Sequence, residues 1–152
     1  MEVAEDVINE PGALTAGQLI EQLDSIYEFI GLLYMKDIDK LIFNELPVYF
    51  IVYYKNHWIA IYVSNKQLQV MDSTHSIWEE PHPAFISFLY KNNHKEIQCN
   101  PALQSYKSNT CGYYCLFFVK ERSRRKSYKE ILQNFTTNTT LNDYIVSQLA
   151  ET

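Results

Sequence analysis

The chain has 152 residues, 47% hydrophobic and 14% aromatic, with only 4 glycines and 5 prolines. That excludes disorder, collagen and low complexity, and it allows one domain that buries its own core. Net charge is −5, and three cysteines form no disulfide framework, so a reducing intracellular setting is expected.

A single domain over 1–152 is expected, with 1–14 a flexible acidic arm. Residues 1–35 hold seven acids and no Lys or Arg, and the start lacks the regions of a signal peptide. No apolar run approaches the ~18 residues of a membrane span, so no membrane role is expected. Thr15 and Gln18 suit a capping box. Leu19, Ile20, Leu23, Ile26, Tyr27, Ile30, Leu33 and Tyr34 then recur at helical spacing, which predicts a helix over 15–34. Val48–Tyr54, Trp58–Val63 and Leu68–Met71 are β-branched or aromatic and predict three strands. Lys55-Asn56 and Ser64-Asn65-Lys66 supply turns between them. A helix over 81–91 would bury Phe85, Phe88 and Leu89, and 97–103 reads as extended. Helices follow over 111–126, 128–135 and 141–149. The fold class is α+β: a central, mainly antiparallel sheet flanked by helices. Lys120, Arg122, Arg124, Arg125, Lys126 and Lys129 crowd ten residues. They suit a solvated helix end, and contact with a polyanion such as DNA is the alternative.

The chemistry concentrates in Gln104-Ser-Tyr-Lys-Ser-Asn-Thr-Cys111-Gly112. It sets a cysteine at the start of a helix, where free N–H groups and the dipole favour a thiolate. Gly112 would let a substrate backbone approach closely. A thiol nucleophile needs a base, and the base an orienter. The second hairpin can supply both, depending on its loop. A two-residue loop sets His57 opposite Asp72, and a four-residue loop makes them diagonal neighbours on one face. A three-residue loop puts them on opposite faces. Cys115 reads as core, and Cys99 as structural or as an exposed thiol open to a partner. His75, His82 and His94 show no four-ligand spacing with the cysteines, so no metal and no cofactor are expected.

His57-Trp58 entering a strand, an acid ending the next one, and Gln104…Cys111-Gly112 opening a helix together resemble a clan of cysteine peptidases. It unites the adenovirus proteinases with the ubiquitin-like-protein proteases. The Gln-Ser start, the seven-residue step to the cysteine and Asn138-Thr-Thr-Leu141-Asn142 resemble the adenovirus type most. The resemblance covers about residues 45–145. It implies Cys111 as nucleophile, His57 as base and Asp72 as its orienter. It further implies an oxyanion hole from Gln104 and the Cys111 N–H, with Trp58 and Gly112 beside the substrate. Thr110 departs from the Asp that many members carry before the cysteine. The implied activity is endopeptidase cleavage, through a thioester, of viral or virus-like-element precursor proteins inside a host cell. Removal of a ubiquitin-like modifier, or acyl transfer by an effector-type enzyme, are the alternatives. The implied protein is a monomer acting on a protein substrate. The chain is shorter than the adenovirus enzymes, so an activating peptide or DNA is not assumed.

Overall fold

The computed structural model describes residues 13–105 and 107–151. The expected acidic arm, apart from Ala13 and Leu14, lies outside them. Helix α1 (Ala16–Leu23) opens on the expected capping box, with Thr15 Oγ1 accepting from Gln18 N at 3.1 Å. Five strands follow among the described residues: β1 (Phe29–Tyr34), β2 (Val48–Tyr53), β3 (Trp58–Val63), β4 (Gln67–Met71) and β5 (Glu96–Cys99). They lie side by side in that order. The β2–β3–β4 meander is antiparallel, and β1 and β5 flank it in parallel. A 3₁₀ helix (Met35–Lys40), α2 (Ser76–Glu79) and α3 (Pro83–Lys91) lie between strands. After β5 come α4 (Cys111–Ser123), α5 (Tyr128–Leu132) and α6 (Thr139–Leu149). The architecture is α+β.

Both faces of the sheet are covered, which is why the strands are apolar runs instead of alternating patterns. Trp58, Ala60 and Tyr62 join one core with α1 and α4, while Ile59, Ile61 and Val63 join the other with Phe85 and Phe88 of α3. Leu89, expected in that core, packs against it only half-buried. The extended stretch expected to Leu103 keeps strand pairing only to Cys99. Helix α4 stops at Ser123, short of Lys126, because Arg125 takes a left-handed φ of 68°.

The helix expected over 15–34 is a helix only to Leu23; residues 29–34 form β1 instead. Gly31 adopts φ 129°, which no helix uses, and neighbouring Leu32 and Leu33 enter opposite cores, as strand residues do. Tyr27 is 82% exposed, although helical spacing assigned it to the buried stripe.

Much of the basic run serves the fold itself. Arg122 Nε donates to Gln69 Oε1 at 2.9 Å, and its guanidinium lies 4.3 Å from the Tyr62 ring centroid. Lys120 Nζ donates to Gln22 Oε1 at 2.9 Å and to the Ala150 carbonyl at 3.2 Å. Arg124 pairs with Glu121 at 2.9 Å.

Helix α5 meets the sheet through one hydroxyl. Tyr128 Oη lies 2.6 Å from the Val70 carbonyl and 3.1 Å from Asn100 Oδ1, all buried. Tyr128→Phe should therefore lower the unfolding free energy by about 1–3 kcal/mol, since it removes a buried donor from the Val70 carbonyl. Urea denaturation followed by tryptophan fluorescence measures this, and an unchanged midpoint would contradict it.

Candidate active site

His57 stands on a turn. Lys55 and Asn56 both take left-handed φ values, 51° and 58°, and Tyr54 N donates to His57 O at 2.9 Å. This two-residue hairpin has the twist that suits antiparallel strands, and it delivers His57 at the start of β3. Between β3 and β4 the register pairs Val63 with Leu68 and Ala60 with Met71. It is the register of the four-residue loop, so His57 and Asp72 are diagonal neighbours and not direct partners. Because β3 and β4 run antiparallel, the start of one and the end of the other share an edge. There His57 Nε2 meets Asp72 Oδ1 at 2.5 Å.

Asp72 is fully buried. Its Oδ1 also accepts from Thr74 N at 3.2 Å and Thr74 Oγ1 at 3.1 Å, and its Oδ2 from Ile77 N at 2.8 Å. Burial opposes the carboxylate charge, but His57 and these donors outweigh it and hold the Asp72 pKa below its ordinary value. For His57, burial again opposes charge. Hydrogen bonds to Asp72 and Cys111 and the attraction of both raise its pKa to about 9.

Cys111 opens α4, and its Sγ accepts from Trp58 N at 3.4 Å. With Nε2 committed to Asp72, Nδ1 is the His57 nitrogen left for the thiol. The structure thus brings Cys111, His57 and Asp72 together. Gln104 is buried nearby, with its amide fixed at both ends: Oε1 accepts from Ser73 Oγ at 2.5 Å, and Nε2 donates to Ser108 O at 3.1 Å. Ser73 O also accepts from the backbone N–H of Gln104 at 3.0 Å. The residue after Asp72 therefore carries the glutamine.

Among solved structures, this chain is similar to the selenomethionine crystal structure of the ASFV pS273R protease. The likeness has a TM-score of 0.50 at 19% identity and covers 95% of this chain and 69% of that one. At that identity it shows the fold alone: this chain shares the α+β fold of that structure. No protein-family model matches the chain, and no curated protein matches it.

The other cysteines lie in different settings. Cys115 is wholly buried, which pushes its thiol pKa well up, and exposed Cys99 is raised by partial burial. His75 Nδ1 meets the Asn100 carbonyl at 2.8 Å, and His82 Nδ1 accepts from Ala84 N at 2.9 Å to cap α3. No helix among the described residues is long and apolar enough to cross a membrane. Three site residues escaped the sequence reading. Ser73, Thr74 and Asn100 carry no motif of their own. Asn100 nevertheless grips the Asp72 backbone from both sides, its Oδ1 accepting from Asp72 N at 3.0 Å and its Nδ2 donating to Asp72 O at 2.8 Å.

Gly112 also has close neighbours within the fold. A Cβ built there would lie 3.0 Å from Leu14 Cβ and 3.6 Å from Trp58 Cδ1. The space that glycine leaves on its Cβ side is filled by the residue leading into α1. Gly112→Ala should shift Leu14, lower the melting temperature by several degrees and slow Cys111 alkylation. Adding Leu14→Ala should restore both, and if it restored neither, the contact would not be the reason for glycine.

The dyad also links stability to pH. His57 has a folded pKa of about 9, above the ordinary 6.5, so its charge stabilises the fold fully below pH 6.5. That contribution is lost as pH rises towards 9. Asp72 acts in the opposite sense: its lowered pKa stabilises above the ordinary carboxylate value and is lost in acid. Between pH 6.5 and 8.5 the unfolding free energy should fall by on the order of 2 kcal/mol. Urea titrations at the two pH values check this, and His57→Ala should flatten the difference.

Proposed function

We propose that this chain is a thiol endopeptidase of the adenovirus-proteinase type. One observation carries the reading: a cysteine at a helix start contacts a histidine whose far nitrogen is bonded to a buried carboxylate. The protease fold of the ASFV pS273R structure supports it, and the resemblance of Gln104…Cys111-Gly112 adds the subtype.

In the proposed mechanism, the Cys111 thiolate, paired with protonated His57, attacks a peptide carbonyl. The new C–S bond moves the carbonyl electrons onto oxygen. Two donors would receive that oxyanion: the Cys111 N–H, in a first helical turn with no intrahelical acceptor, and the second Nε2 hydrogen of Gln104. His57 gives its proton to the leaving amine as the C–N bond breaks, leaving a thioester. Neutral His57 then takes a proton from water, hydroxide adds to the thioester, and collapse expels the thiolate. Asp72 holds the ring tautomer and stabilises the imidazolium throughout. Trp58, whose N–H reaches Cys111, would line the substrate side. The substrates proposed are precursors of virion or virus-like-element proteins, and the cell of action is intracellular. Removal of a ubiquitin-like modifier is the second reading, since the same clan resemblance covers it.

A peptide library and a panel of ubiquitin-like precursors, incubated with the full chain, separate the two. Limiting iodoacetamide near pH 7 should label Cys111 before Cys99 or Cys115. Cys111→Ala should abolish turnover, and Gln104→Ala should lower kcat by about 10²–10³, the value of one oxyanion donor. Prior labelling of another cysteine, or full turnover by Cys111→Ala, would end the proposal.

A further inference from the structure

Between Gln104 and Cys111 the described residues form neither helix nor strand, so this loop needs side chains to hold it. One carboxylate does much of that. Asp143, on α6, accepts from Ser105 N at 3.2 Å through Oδ2. Through Oδ1 it accepts from Thr110 Oγ1 at 3.0 Å and Tyr114 Oη at 2.8 Å. Ser105 follows Gln104, Thr110 precedes Cys111, and Tyr114 lies one turn into α4. A single group thus ties the glutamine end of the loop to the cysteine end.

Its own position is fixed. Asn142, fully buried, donates through Nδ2 to Leu103 O at 3.1 Å and to Thr136 O at 2.8 Å. Asn138 caps α6, accepting from Leu141 N at 3.0 Å. The first turn of α6 is therefore anchored to the chain on both sides of the loop it clamps.

Thr110 adds a second, independent observation. It is the N-cap residue of α4, a position where threonine ordinarily accepts a hydrogen bond from its own helix. Here it makes no side-chain cap bond; its hydroxyl turns to Asp143 and stands 2.9 Å from Ser108 Oγ. Drawing that hydroxyl away leaves the Gly112 amide without a side-chain cap, while Tyr113 N donates to the Thr110 carbonyl at 2.9 Å. That amide lies directly beside the Cys111 N–H that the oxyanion would use, so a hydroxyl capping it would crowd the same space.

We propose that Asp143 is a positioning residue for the oxyanion hole: it withdraws Thr110 from the α4 amides and holds Gln104 in register with them. The proposal rests on the thiol-peptidase reading of the site. Asp143 touches neither the thiol nor the dyad, so it acts on the acylation step through the loop alone. The carboxylate suits the task because it accepts from three donors at once. An asparagine of the same shape keeps the contacts: its oxygen accepts from Ser105 N, and its amide donates to hydroxyls that rotate.

The test uses the full chain and a cleaved peptide from the library. Asp143→Ala should lower kcat by about 10–100-fold, less than outright loss of an oxyanion donor. KM should stay within about twofold, and Cys111 alkylation within about threefold, because the dyad is intact. Asp143→Asn should recover most of kcat. Adding Thr110→Ala to Asp143→Ala should also raise kcat several-fold, although the double variant has lost a further hydroxyl. A general loss of structure predicts the opposite, a double variant slower than the single one. Parent-like kcat in Asp143→Ala would overturn the proposal, as would an equal fall in alkylation or a double variant no faster than the single. Hydrogen exchange gives a readout without substrate: the Ser105 amide should exchange at least tenfold faster in Asp143→Ala. Unchanged exchange overturns the clamp, whereas a parent protein that cleaves no peptide overturns the peptidase reading.

Discussion

A carboxylate with no exposed surface is the constraint around which this molecule is built. Burying an isolated charge costs several kcal/mol, and attraction to one partner rarely offsets it. Asp72 is supplied with donors from the imidazole, from the Thr74 amide and hydroxyl, and from the Ile77 amide. The last requires the chain to fold back sharply, and His75 does this with a left-handed φ of 64°. The backbone on the other side is gripped by Asn100, which Tyr128 in turn holds from α5. The order of β4, β5 and α5 thus follows from one group that must be satisfied.

The imidazole is placed by different means. Its hairpin has two left-handed residues, costly for Lys55 and Asn56, with Asn56 steadied by Tyr53 Oη at 2.6 Å. The strands it joins are buried on both faces, so neither can slip by one residue without sending a whole apolar set to the wrong core. That rigidity fixes the reach from His57 to Asp72 and sets Trp58 N under Cys111. Helix α4 is held down by Phe117, Phe118 and Val119 in the same core, and its first residue has little freedom left.

How far the sequence carries follows from the range of each interaction. The three strands of the meander, the turn before His57 and the cysteine at a helix start are local features, and local pattern finds them. The hairpin register is not local: loop length alone leaves three registers, and packing of both faces picks one. At 15–34 the periodicity of the apolar residues is real but satisfied twice, once by α1 and again by strand β1, with Gly31 marking the change. Ser73, Asn100 and Asp143 act across 28 to 38 residues of sequence, and nothing beside them in the chain announces it. The basic run misleads in the other direction. Its charges are countable, but the stacking of Arg122 on Tyr62 is visible only when the helix lies on the sheet.

The two halves of the site rest on unlike supports. His57 and Asp72 extend from a hydrogen-bonded ladder whose geometry each residue inherits from its neighbours. Gln104 and the loop to Thr110 have no ladder, and they are held by Ser73, Ser108, Asn142 and Asp143. Buried polar networks of this kind are worth more than their separate bonds when complete, and each unpaired member costs when one is removed. Loss of a strand contact can be shared along the ladder, whereas loss of one loop contact leaves specific donors stranded between Gln104 and Cys111. The sheet accordingly fixes how His57 meets Asp72, and the polar loop fixes where Gln104 stands relative to the start of α4.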